Sequence, residues 1–114
     1  MLTNKDYCDY DTCVALKEVG CDQHYDKYKE TNSKGEYIFD WFTLYEAQKW
    51  LREEKKIEVL VLSKGMIGAP YDVQVYTEDY IISDDREYSS YEEALSEGLR
   101  TSIKILQDEQ KENN

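Results

Sequence analysis

The chain has 114 residues, enough for one domain built around one core. Its 40% hydrophobic and 13% aromatic content excludes a disordered chain, and no apolar run approaches the ~20 residues of a membrane-spanning helix. The net charge is −11, and residues 57–114 hold 13 acidic residues against 5 basic ones; such a field repels nucleic-acid phosphates and anionic membranes, and favours basic partners or solubility alone.

From the N-terminus, MLTNKDYCDYD lacks the apolar core of a signal peptide, so the expected compartment is the cytoplasm. Residues 1–10 read as a loosely held lead-in. Asp11 or Thr12 is the expected cap of a short helix through Val19, with Gly20 as its left-handed stop. Tyr25 and Tyr28, then Tyr37, Ile38 and Phe39, flank the polar TNSKGE, a pattern that predicts a hairpin turning near Ser33-Lys34-Gly35.

The stretch Phe42 to Leu62 predicts a capped amphipathic helix running into a strand. Thr43 and Glu46 have capping-box spacing, with Phe42 and Ala47 placed as a hydrophobic staple. Leu44, Ala47, Gln48 and Leu51 share a face, Trp50 lies at its edge, and Lys55 and Lys56 are expected in the last turn. In Ile57–Leu62, Ile57, Val59 and Val61 alternate with Glu58, Leu60 and Leu62, which predicts a strand whose second face is partly covered. SKGMIGAP, residues 63–70, is a loop with an apolar tip at Met66 and Ile67. Tyr71–Thr77 alternates as a strand, Tyr80–Ile82 as another. Ser90 and Glu93 make a second capping box before a stripe of Tyr91, Ala94, Leu95, Leu99, Ser102, Ile103 and Leu106. Residues from Gln107 onward are expected to fray.

Few residues point to chemistry. Cys8, Cys13, Cys21 and His24 are soft ligands, but their spacing makes no paired knuckles, so neither zinc nor another cofactor is expected. An odd number of cysteines fits reduced thiols. Cys21 and His24 lack an orienting group for nucleophilic work. The acidic run Glu78, Asp79, Asp84, Asp85 and Glu87 lacks calcium-loop spacing. The unusual feature is eleven tyrosines, residues that serve either interfaces or small-sheet packing. The candidate binding residues are Tyr76, with Asp72 and Gln74 beside it opposite the core, then Tyr25, Tyr28 and Tyr37 of the hairpin, and Met66 and Ile67.

Three segments, CVALKEVGCD, QKWLREEKKI within TLYEAQKWLREEKKIEV, and YEEALSEGL within the last helix, resemble a group of short uncharacterised proteins from gut anaerobes and their phages or prophages. That group tends to have proline where this chain has Phe42. The resemblance implies a small intracellular accessory protein and carries no catalytic residues. The order from Thr43 onward, helix, three strands, helix, is similar to that of a double-stranded-RNA-binding domain. In that family the last helix opens with a lysine cluster that grips phosphates. Here the same place reads Ser89-Ser90-Tyr91-Glu92-Glu93, so duplex RNA and DNA are not expected partners.

These readings converge on one α+β domain over residues 1–114: a small antiparallel three-stranded sheet with helices packed on one face, after an N-terminal helix and hairpin. The expected function is non-enzymatic protein interaction, with another protein or with itself and without a membrane, in a phage- or mobile-element-associated setting. The alternatives are an acidic decoy that occupies a basic nucleic-acid-binding groove, and a small metal-dependent or Cys–His hydrolase.

Overall fold

The computed structural model describes residues 4–21, 29–31, 33–34, 37–63, 70–83 and 86–112, with backbone alone at 29–31 and 37–40. A 3-10 turn at Asn4–Asp6 leads to helix α1, Tyr10–Glu18. The cap of α1 is Asp9, whose carboxylate accepts from the Thr12 N–H at 2.8 Å. Asp11 and Thr12, expected as caps, lie inside the helix instead. Gly20 ends it as expected, at φ 103°. The Gly20 N–H donates to the Lys17 carbonyl and the Cys21 N–H to the Leu16 carbonyl, a Schellman stop with Leu16 and Cys21 both buried at its apolar contact.

Residues 1–10 are expected to be loose, yet the described part is tied down. The Cys8 N–H donates to the Phe42 carbonyl at 2.9 Å, Tyr7 bridges to Thr43, and the Tyr45 hydroxyl donates to Asp6 at 2.8 Å. The hairpin forms as strands β1, Lys29–Thr31, and β2, Tyr37–Asp40, antiparallel with a bulge at Glu30/Thr31.

Helix α2, Leu44–Glu54, carries the full capping box: the Thr43 hydroxyl accepts from the Glu46 N–H and the Glu46 carboxylate accepts from the Thr43 N–H, both at 3.0 Å. Phe42 and Ala47 are fully buried beside it. The helix stops a residue before the two lysines. Lys55 is its C-cap and lies over the Trp50 ring, 5.5 Å from the centroid. Lys56 adopts a left-handed φ of 56°, so that the Ile57 N–H folds back onto the Leu51 carbonyl at 3.0 Å.

The three-stranded antiparallel sheet follows, as β3 (Glu58–Ser63), β4 (Tyr71–Tyr76) and β5 (Ile81–Ser83) in the order β3-β4-β5. Helix α3, Tyr91–Glu112, returns across β3 and β4. It does not fray at Gln107 but continues to Glu112, through glutamine, glutamate and lysine, which are good helix formers. Ser90 caps it, accepting from the Glu93 N–H at 3.1 Å, while the Glu93 carboxylate accepts from the Ser89 hydroxyl at 2.9 Å. The fold is α+β, with α2 and α3 on one face of the sheet and α1 against α3, and the helix–three strands–helix order from Thr43 onward is as expected. The core is formed by Leu16, Phe42, Leu44, Leu51, Val59, Val73, Val75, Leu95, Leu99 and their neighbours.

Ala94, Gly98 and Ser102 form the small-residue line of α3 that faces the sheet, with Leu95, Leu99 and Ile103 beside it. At Gly98 a Cβ would stand 2.4 Å from Val59 Cγ1 and 2.7 Å from Val73 Cγ2. Gly98→Ala is therefore expected to lower stability by about 1–3 kcal/mol through overpacking, although alanine favours an isolated helix by about 1 kcal/mol; the urea midpoint checks the sign. Lys56→Gly is expected to raise stability by about 0.5–1 kcal/mol, since glycine enters the left-handed region without the Cβ penalty. The same denaturation series measures it.

Candidate functional site

Strand pairing fixes which side chains share the face of the sheet turned away from the helices. Glu58, Leu60 and Leu62 of β3 lie opposite Tyr76, Gln74 and Asp72 of β4, while Tyr76 and Gln74 lie opposite Ile81 and Ser83 of β5. The intervening Val59, Val73 and Val75 are buried under α3, with Val61 and Ile82 partly so. The face predicted for Asp72, Gln74 and Tyr76 is therefore the outer one. It is not a polar surface. Leu60 is 38% exposed, Leu62 39% and Ile81 57%, so the second face of β3, expected to be partly covered, is open.

These apolar groups are contiguous. Leu62 and Leu60 are same-face neighbours along β3, Leu60 is diagonal to Tyr76, and Tyr76 is directly opposite Ile81. The Tyr76 hydroxyl donates to Gln74 Oε1 at 2.6 Å, which sets the phenol against its own strand. Glu58 and Asp72 lie on the face beside the patch, and the turn between β4 and β5 carries the exposed Glu78 and Asp79, which line a groove together with Lys55 and Lys56. That turn is held by the Thr77 hydroxyl, which accepts from the Asp79 and Tyr80 N–H groups and donates to the Tyr80 carbonyl. Glu58 pairs with Arg52 at 3.6 Å. At the outer edge of β3, Gln48 of α2 donates to the Val59 carbonyl at 2.8 Å and closes part of that edge.

The other predicted residues fall elsewhere. Tyr25, Tyr28, Met66, Ile67 and His24 lie outside the described residues, as do Asp84 and Asp85 of the acidic run; Tyr37 is placed by its backbone in β2. Several tyrosines are packing groups: Tyr71 meets Tyr91 edge-on, with centroids 6.1 Å apart, and Tyr10 meets Trp41 in the same way at 6.4 Å. Leu60, Leu62 and Ile81 are the members of the face that tyrosine counting overlooks. Their signal was in the sequence, because β3 is apolar on both sides in a sheet with helices on one face.

The three cysteines are buried together against the N-terminal clasp. The Cys13 thiol donates to the Cys8 carbonyl at 3.7 Å and accepts from the Phe42 N–H at 3.5 Å. The Cys8 thiol is held far above its ordinary range, first by its hydrogen bond with Cys13 and then by burial. Among the described residues no group of three or more His, Cys, Asp or Glu side chains is arranged to hold a metal ion. The other perturbed groups are equally local. Asp9 is held below its ordinary value, first by its bond from Thr12 and also by Arg100. Tyr45 is pushed up to about 12 by partial burial and by Asp6, to which it donates. A groove beside the start of α3 is lined by Lys5, Tyr88 and Ser96 with mixed charges, in which Arg100 pairs with Glu97 at 2.9 Å and Asp9 at 3.3 Å. Among the described residues no helix is long and apolar enough to cross a membrane.

Comparisons with protein-family models, with curated proteins and with solved structures found no match to this chain.

The cysteine geometry has a measurable consequence. In the native protein the thiols of Cys8, Cys13 and Cys21 are expected to resist an aromatic disulfide reagent at pH 8 and to react once urea unfolds the chain. Because the folded Cys8 thiol is raised above the unfolded value of 9.0, its contribution to stability is full below pH 9.0 and is lost as pH rises above it, where the unfolded chain ionises and the folded one does not. Cys8→Ala is expected to flatten that alkaline loss in a urea–pH series.

Proposed function

We propose that this chain is a non-enzymatic protein-interaction module whose working surface is the outer face of its three-stranded sheet. The observation that carries the reading is the exposure of Leu60, Leu62 and Ile81, joined by the half-buried Tyr76, on a face where an antiparallel sheet ordinarily turns polar groups to water. Clustered apolar groups with an aromatic among them and a polar rim are the composition of a recognition patch. A phage- or mobile-element setting and a cytoplasmic location fit the resemblance of the three sequence segments, and no catalytic role is assigned.

Duplex nucleic acid fits poorly. The first turn of α3 carries Glu92 and Glu93 where a phosphate-gripping helix needs lysines. The acidic-decoy alternative draws on net charge. Beside α3, however, the carboxylates of Glu97 and of Asp9, the α1 cap, are paired with Arg86 and Arg100.

The test is affinity capture from the native host with three baits: the natural chain, Tyr76→Ala, and the double variant Leu60→Thr with Ile81→Thr, threonine being chosen to keep β-propensity. Stability is expected to change by no more than about 0.5 kcal/mol at each site, as for ordinary surface positions. Binding of the captured protein is expected to weaken by more than about 1 kcal/mol. Undiminished capture by the double variant, with both baits folded, removes this face as the working surface.

A further inference from the structure

We infer that the occupant of the outer face is a basic amphipathic helix from another protein, laid over Leu60, Leu62, Tyr76 and Ile81 with its lysines or arginines toward Glu58 and Asp72. The inference rests on the reading of that face as the working surface and adds the class of partner.

Width is the first argument. Three strands at about 4.8 Å spacing span roughly 10 Å, the diameter of one α-helix with its side chains. On the opposite face helices pack in the same manner, α3 over β3 and β4 with α2 against β3. An added strand needs a free sheet edge. The edge of β3 is partly closed by Gln48 on the Val59 carbonyl, and β5 offers three residues, Ile81–Ser83. The apolar groups, by contrast, lie across all three strands on the face itself, from Leu62 to Ile81. That layout suits a stripe of side chains at helical spacing.

Charge is the second argument. Glu58 and Asp72 lie on the face itself, and the whole chain carries −11. A second copy laid face to face would bring these carboxylates against their own kind. An acidic helix would meet the same repulsion, and a neutral one would gain nothing from the negative field. A helix flanked by cations complements the carboxylates, and approaches faster for it.

The test is titration calorimetry with three synthetic peptides of about 14 residues, or roughly 21 Å of helix. One has a leucine stripe flanked by lysine and arginine. One has the same composition scrambled to destroy the stripe. One has the leucine stripe flanked by glutamate. The striped cationic peptide is expected to bind one-to-one, at least about tenfold more tightly than the scrambled peptide, with no measurable binding of the glutamate peptide. The Leu60→Thr/Ile81→Thr variant is expected to lose at least the same factor. Equal binding of the scrambled peptide, or equal binding by the variant, reduces the effect to charge and overturns the inference. So does a dimer of the natural chain in sedimentation that the variant abolishes, since the occupant is then a second copy. If captured protein is lost by the double variant but no cationic helix binds, the face stands as the working surface and the partner class falls. If capture is undiminished by the double variant, the underlying reading fails as well.

Discussion

The contact on which the rest of the sheet depends is the close approach of α3 at Gly98. With no side chain there, the helix backbone settles directly over Val59 and Val73, closer than any Cβ would allow. The neighbours on the same helix face then reach the sheet from both sides: Leu95 and Leu99 are fully buried, and the Ser102 hydroxyl turns back to the Gly98 carbonyl at 2.8 Å so that no polar group is stranded there. A helix held this low leaves room for short, β-branched side chains beneath it and for little else.

That constraint bears on which way β3 faces. Its four central residues, Val59, Leu60, Val61 and Leu62, are all apolar, so the hydrophobic pattern alone does not choose between its two faces. Shape makes the choice. Turning the strand over would place the longer Leu60 and Leu62 beneath α3, where valine side chains already fill the space up to Gly98. The valines go in, and the leucines are left on the outside. Cross-strand pairing then brings them beside Tyr76, and beyond it Ile81, with Glu58 and Asp72 on the same face. The inner packing thus decides which side chains of β3 turn outward but not that they are apolar, and Glu58 and Asp72 on the same face discourage the self-association that such a face would otherwise invite.

What was legible in the sequence was local. The Thr43–Glu46 box and the Gly20 stop are decided within a few residues, and each reads correctly from spacing. The alternation of Tyr71–Tyr76 likewise assigns Asp72, Gln74 and Tyr76 to the outer face. The misreadings are places where distant residues decide. Asp9, Asp11 and Thr12 compete as caps, and Asp9 is the one also held by Arg100 from the far end of the chain. The lead-in looks loose until the Phe42 carbonyl takes the Cys8 N–H. Lys56 holds a left-handed position that usually calls for glycine, and no residue type announces it. The outer patch depends on the pairing of three strands, so Ile81 joins it only through register, and Leu60 and Leu62 only through the fit beneath α3.

The groups that looked most chemical in the sequence are accounted for by the architecture. Cys13 joins the Cys8 carbonyl to the Phe42 N–H, and so ties the N-terminal segment to the entrance of α2 from inside the core. The shifted Cys8, Asp9 and Tyr45 each have their cause in a structural contact: a thiol neighbour and burial, a helix cap, a partly covered phenol donating to Asp6. Perturbed groups point to function when no such contact explains them, and each of these has one. The outer face is different in kind. Helix capping, core packing and chain connection do not require Leu60, Leu62 and Ile81 to face water, and an alternating polar residue at each position would serve the fold as well. Exposed apolar surface that the fold itself does not use is the property left for binding to explain.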